Sequence, residues 1–67
     1  MNNENNFGKT IKKYRIEKNM TQKELCKLAG ISEPELIAIE NGKRKNPQAK
    51  TIHNLAKVLD IDIEILI

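Results

Sequence analysis

Tryptophan is absent from this 67-residue chain, and cysteine, histidine, tyrosine and phenylalanine occur once each. A single cysteine cannot close an intrachain disulfide, and Cys26 with His53 offers no zinc-ligand spacing, so the composition fits a reducing cytoplasm and implies no metal or other cofactor. One His, one Cys and three scattered Gly supply neither a nucleophile with its base nor a phosphate-cradling loop, so no enzymatic site and no small-molecule ligand are expected. The two aromatic residues, Phe7 and Tyr14, fall at core-like positions, which leaves no stacking platform for single-stranded nucleic acid. No apolar stretch approaches membrane-spanning length, and residues 1–6 have neither an apolar run nor a basic start, so neither a membrane span nor a secretory signal is expected.

What the chain does have is charge, unevenly placed. The net charge is only +3, yet residues 41–57 hold Lys43, Arg44, Lys45, Lys50 and Lys57 with no acid, while residues 58–67 hold Asp60, Asp62 and Glu64 with no base. A one-sided basic segment points to a polyanionic partner. A chain this short has room for one small core, burying about 60% of its unfolded surface.

Residues 1–6 are polar and Asn-rich and read as a disordered lead-in to a single domain over 7–67. Phe7, Ile11 and Tyr14 recur at helical spacing among Lys9, Lys12, Lys13 and Glu17, which predicts an amphipathic helix running to Lys18, with Asn19 suited to a left-handed end. Two capping boxes follow, Thr21-x-x-Glu24 and Ser32-x-x-Glu35, in which a hydroxyl and a carboxylate reciprocally satisfy free backbone N–H groups. They start two short helices. The first should turn Leu25, Leu28 and Ala29 inward; the second, from Glu33 to about Glu40, holds Pro34 in its first turn and turns Leu36 and Ile39 inward. Between them Gly30 permits a sharp turn, and Asn41-Gly42 stops the second. Two capped helices around so tight a turn make a helix-turn-helix. Pro47 marks the approach to a fourth helix with Ile52, Leu55, Ala56 and Leu59 on one face. The tail alternates Ile61, Ile63 and Ile65 with acids and by period alone reads as a strand; a lone strand has nothing to pair with, so a short fifth helix capped by Asp60 or Asp62 is expected.

In Tyr14-Arg15, Thr21-Gln22-x-Glu24-Leu25, Gly30-Ile31-Ser32, Leu36-x-x-x-Glu40-x-Gly42-Lys43, Pro47 and Leu55-Ala56-x-x-Leu59-x-Ile61, the chain resembles the phage-repressor and Cro-like (XRE-type) helix-turn-helix regulators over about residues 7–66. The resemblance implies an all-α, compact five-helix domain like that of lambda repressor, bacterial or phage-encoded and usually dimeric. In such a domain helix two crosses the phosphate backbone of double-stranded DNA and helix three, about 33–40, enters the major groove. It implies phosphate contacts from Gln22 and Lys23 at the start of helix two, and from Lys43, Arg44 and Lys45 beside the groove. Asn41 fits a phosphate contact or an ordinary helix end equally well. Arg15 and Glu40 match an internal salt bridge between helix one and the end of helix three, and Cys26 stands where the family has a small alanine, a buried and unreactive position.

The base-reading positions are then Ser32, Glu33, Pro34, Ile37 and Ala38, and none of them is Arg, Lys, Asn or Gln, the side chains that pair bidentately with guanine or adenine. Glu33 can accept from cytosine N4, and Pro34, Ile37 and Ala38 can pack on thymine methyl groups. Two functions follow. One is a sequence-specific DNA-binding transcriptional regulator of the repressor kind, dimeric on a two-fold symmetric operator, with part of the apolar tail (Ile61, Ile63, Ile65, Leu66, Ile67) as the dimer seam. The other keeps the fold but uses Pro34, Ile37 and Ala38 to bind a protein, as an antitoxin-like or adaptor module with weak or no DNA affinity.

Overall fold

A computed structural model describes residues 6–44, 46–62 and 64. Among these residues the chain forms four helices and no strand: α1 (Asn6–Glu17), α2 (Gln22–Ala29), α3 (Glu33–Glu40) and α4 (Ala49–Leu59). The fifth helix expected from the sequence falls in 61–67, where positions 63 and 65–67 lie outside the described residues. No described helix is long and apolar enough to cross a membrane.

Each boundary has a local cause. At the start of α2 the Thr21 hydroxyl accepts from the Glu24 N–H at 3.0 Å, and the Glu24 carboxylate accepts from the Thr21 N–H at 2.9 Å, closing the capping box. At the start of α3 only half of the second box forms: the Ser32 hydroxyl accepts from the Glu35 N–H at 3.2 Å. Replacing Thr21 by alanine removes the hydroxyl arm of the box at an exposed site and leaves the backbone N–H to the Glu24 carboxylate, so urea unfolding should show a loss of about 1 kcal/mol, and an unchanged midpoint would rule the hydroxyl cap out as a stabilising element. All four helices end on a residue in the left-handed region: Asn19 (φ 58°), Gly30 (φ 74°), Gly42 (φ 84°) and Asp60 (φ 58°). After each, the next N–H reaches back into the last turn, as from Met20 to the Arg15 carbonyl at 3.1 Å and from Ile61 to that of Ala56 at 2.9 Å. The carbonyls that a helix end would leave free are thereby satisfied. Asp60 thus terminates α4.

The four helices pack in pairs, α1 and α2 each against both α3 and α4. Ile11, Leu25, Leu36, Ile39, Leu55 and Leu59 are fully buried between them, joined by Cys26, Ala29, Ala56 and Ile61. Phe7, Tyr14 and Ile52 pack at the edge of this core rather than in its centre. In α1 the buried line is Gly8, Ile11 and Arg15, so the helix is turned away from the Phe7–Ile11–Tyr14 face that the hydrophobic pattern favours.

Leu28 departs from expectation: it is 61% exposed instead of facing inward. The inward arc of α2 is set by Leu25, Cys26 and Ala29. At about 100° per residue, Leu28 lies on the far side of Leu25 from Cys26 and falls outside that arc. Burial of Cys26, its Sγ donating to the Ser32 carbonyl at 3.4 Å, decides the rotation.

Candidate nucleic-acid interface

The junction of α1, α2 and α3 is built on one buried carboxylate. Glu40, the last residue of α3, accepts from Arg15 Nε at Oε2 (2.7 Å) and from Arg15 Nη2 at Oε1 (3.1 Å). Arg15 Nη1 donates to the Met20 carbonyl at 2.8 Å, so the same guanidinium also pins the turn between α1 and α2. Gln22 Nε2 donates to Glu40 Oε1 at 3.0 Å and fastens the first residue of α2 to the end of α3. Both charged partners are buried, and a bidentate guanidinium–carboxylate pair is the geometry in which such burial is tolerated.

Gln22 therefore has a structural task that the sequence did not show. Its amide carries two donors and Glu40 takes one, so a second N–H remains on a side chain that is only half-buried. Lys23 beside it is exposed. The structure thus brings the start of α2 next to the end of α3.

Along α3, Ser32, Glu33, Pro34 and Ile37 are exposed and Ala38 is half-buried, while Leu36, Ile39 and Glu40 point into the domain. Just after α3, the N–H groups of Lys43 and Arg44 both donate to the Ala38 carbonyl at 2.9 Å, and Asn41 Oδ1 accepts from the Lys43 N–H at 3.0 Å. These bonds hold the backbone of the basic loop against the end of α3 while the Lys43 and Arg44 side chains stay exposed. Asn41 acts here as a helix-end residue. Lys45 lies outside the described residues.

Gln48 and Lys50 also border this surface, a placement the sequence does not mark. Arg44 lines a shallow depression with Gln48, Lys50, Thr51 and Asn54 at the start of α4, and with Glu35 from α3. Gln48 is the N-cap of α4 and its side chain makes no capping bond, so the first-turn N–H groups there lack a side-chain partner. The available signal was the absence of Ser, Thr, Asp or Asn between Pro47 and the helix, directly after a basic loop. Cys26 is far from such chemistry: burial, with Glu33, Glu40 and Glu35 adding to it and Arg15 opposing, pushes its thiol above the ordinary range, where little thiolate forms.

A capped helix, a tight glycine turn and a second capped helix with an exposed outer face define a helix-turn-helix protein. The chain belongs to the helix-turn-helix family, whose sequence model matches residues 11–66. It is 33% identical over 61 residues to the transcriptional regulator SinR of Bacillus subtilis, covering 91% of this chain and 55% of SinR. It is 38% identical over 60 residues to the ImmF control region 10 kDa protein of Bacillus phage phi105, covering 90% of this chain and 66% of that protein. This chain spans about half the length of the first curated relatives it matches. Its fold is similar to SinR in a crystal structure with DNA (TM-score 0.86, 33% identity, 90% of this chain and 95% of that one). It is also similar to the restriction-modification controller protein C.AhdI of Aeromonas hydrophila (TM-score 0.83, 31% identity, 91% of each chain).

Proposed function

We propose that this chain is a sequence-specific, double-stranded-DNA-binding transcriptional regulator of the repressor kind, acting in the cytoplasm and placing α3 in the major groove. The observation that carries the reading is the face of α3 left open to solvent, with the exposed Lys23 at the start of α2 and the exposed Lys43 and Arg44 both close to its end. The similarity to SinR, solved in complex with DNA, supports it. The second N–H of Gln22, the ammonium of Lys23 and the basic loop 43–45 hold phosphates and set the register, and Asn41 lies beside them. Lys50 and the uncapped start of α4 continue the same track, where N–H groups and the helix dipole favour an anion. The regulator works as a homodimer whose seam draws on the apolar tail after Ile61, and its two α3 helices meet half-sites about 34 Å apart.

Salt titration tests this. Affinity for a duplex should fall with a logarithmic slope of about −0.9 for each phosphate neutralised, and Arg44→Ala should weaken binding on every sequence while reducing the slope by about one. A protein that retains no duplex even at low salt would sink the reading. The exposed Ile37 would then favour the second one, a module that docks a protein through Pro34, Ile37 and Ala38, for which salt should matter little.

A further inference from the structure

The outward face of α3 is chemically narrow. It presents a carboxylate at Glu33 and three apolar side chains at Pro34, Ile37 and Ala38, and Ile37 leaves 42% of its surface to solvent. No Arg, Lys, Asn or Gln stands on α3. Of the amides near it, Gln22 gives one N–H to the Glu40 carboxylate at 3.0 Å, Asn41 Oδ1 accepts from the Lys43 N–H at 3.0 Å, and Asn54 donates to the Ala29 carbonyl at 3.3 Å. The Lys43 and Arg44 side chains follow the end of α3, not its outward face.

Each base edge in the major groove asks for a different group. Guanine offers two acceptors and is read best by a bidentate donor, which this face lacks, the Ser32 hydroxyl being a single donor at its edge. Adenine is read by an amide that donates and accepts together, and α3 carries none. Cytosine offers the N4 amino group, which a carboxylate can accept, and thymine adds a C5-methyl group, which only an apolar surface rewards. Of the four edges, α3 matches two.

Resting on the DNA-binding reading above, we infer that α3 selects its half-site through thymine methyl groups, with Ile37 as the principal contact, Pro34 and Ala38 flanking it, and Glu33 accepting from a cytosine amino group. The preferred half-site is accordingly pyrimidine-rich on the strand beneath α3. Pro34, Ile37 and Ala38 fall at i, i+3 and i+4 on one side of the helix. From Pro34 to Ala38 the helix rises about 6 Å, close to two base steps of about 3.4 Å along a strand. Two successive thymines are within reach.

The test starts from duplexes that this chain retains from a random library at low salt. Each thymine of the selected half-site is then replaced by deoxyuridine, which removes the methyl group and nothing else. One or two positions should weaken by about fourfold each, the worth of one buried carbon. At one of them Ile37→Ala should bind the thymine and uracil duplexes equally. The uracil scan of the unaltered chain gives the answer even if that variant folds poorly. Uracil that is neutral at every position, or selected half-sites without thymine under α3, would overturn the inference while leaving DNA binding intact. Retention of no duplex at all overturns both.

Discussion

Replacing Gly8 by alanine should destabilise this domain by about 3 kcal/mol, although alanine is the better helix former by up to about 1 kcal/mol. A Cβ built on Gly8 would stand 2.0 Å from the Ile39 carbonyl oxygen, 3.1 Å from its carbon and 3.4 Å from the Glu40 carbonyl carbon. All three are backbone atoms, so no side chain can swing aside. The first turn of α1 would have to move off the end of α3. That motion would draw Ile11 away from the core and Arg15 away from Glu40, so the loss spreads beyond one contact. In a domain of this size each kcal/mol lowers the melting temperature by roughly 4–8 °C, so the shift should exceed about 12 °C. Lys9→Ala, on the exposed side of the same turn, is the control and should stay within about 0.5 kcal/mol of the parent. If Gly8→Ala melts with that control, α1 and α3 are not in backbone contact.

Arg15→Met should have an effect of similar or greater size. It leaves the Glu40 carboxylate buried with only the Gln22 amide to accept from, and an uncompensated buried charge costs about 3–5 kcal/mol. Arg15→Lys should rescue little, because an ammonium cannot serve Oε1, Oε2 and the Met20 carbonyl with one planar fork. The double variant Arg15→Met with Glu40→Met should recover much of the loss, since two apolar side chains can fill the space without stranding a charge. A double-mutant cycle by denaturant unfolding measures this directly. Single variants costing under about 1 kcal/mol would mean that the pair behaves as a solvent-exposed one.

These two sites differ in how they could be found. Arg15 and Glu40 are legible as a pair because the family places a salt bridge there, but the sequence suggests for Gln22 only a phosphate contact. Its bond to Glu40 depends on the start of α2 meeting the end of α3, which no local pattern reports. Gly8 gave no sign at all, since a glycine in a first turn looks like a weak helix position until the carbonyl of Ile39 is seen beside it. Leu28 is exposed against its pattern because a three-residue spacing from Leu25 suits either edge of a helical stripe, and the packing of Cys26 selects the other edge.

The helix starts at Thr21 and Ser32 and the stops at Asn19, Gly30 and Gly42 were determined by sequence alone. Capping and left-handed termination are interactions among residues a few positions apart, and their energies do not wait for the rest of the fold. The apolar and acidic character of α3's outward face was equally open to reading, because it follows from residue identity at known helical spacing. Only the tertiary structure decided which way α1 and α2 are rolled about their axes, that Gly8 must have no side chain, and that Gln22 shares Glu40 with Arg15. Each of these is set by atoms from segments remote in sequence meeting at van der Waals or hydrogen-bonding distance, a condition that exists only once the helices have packed.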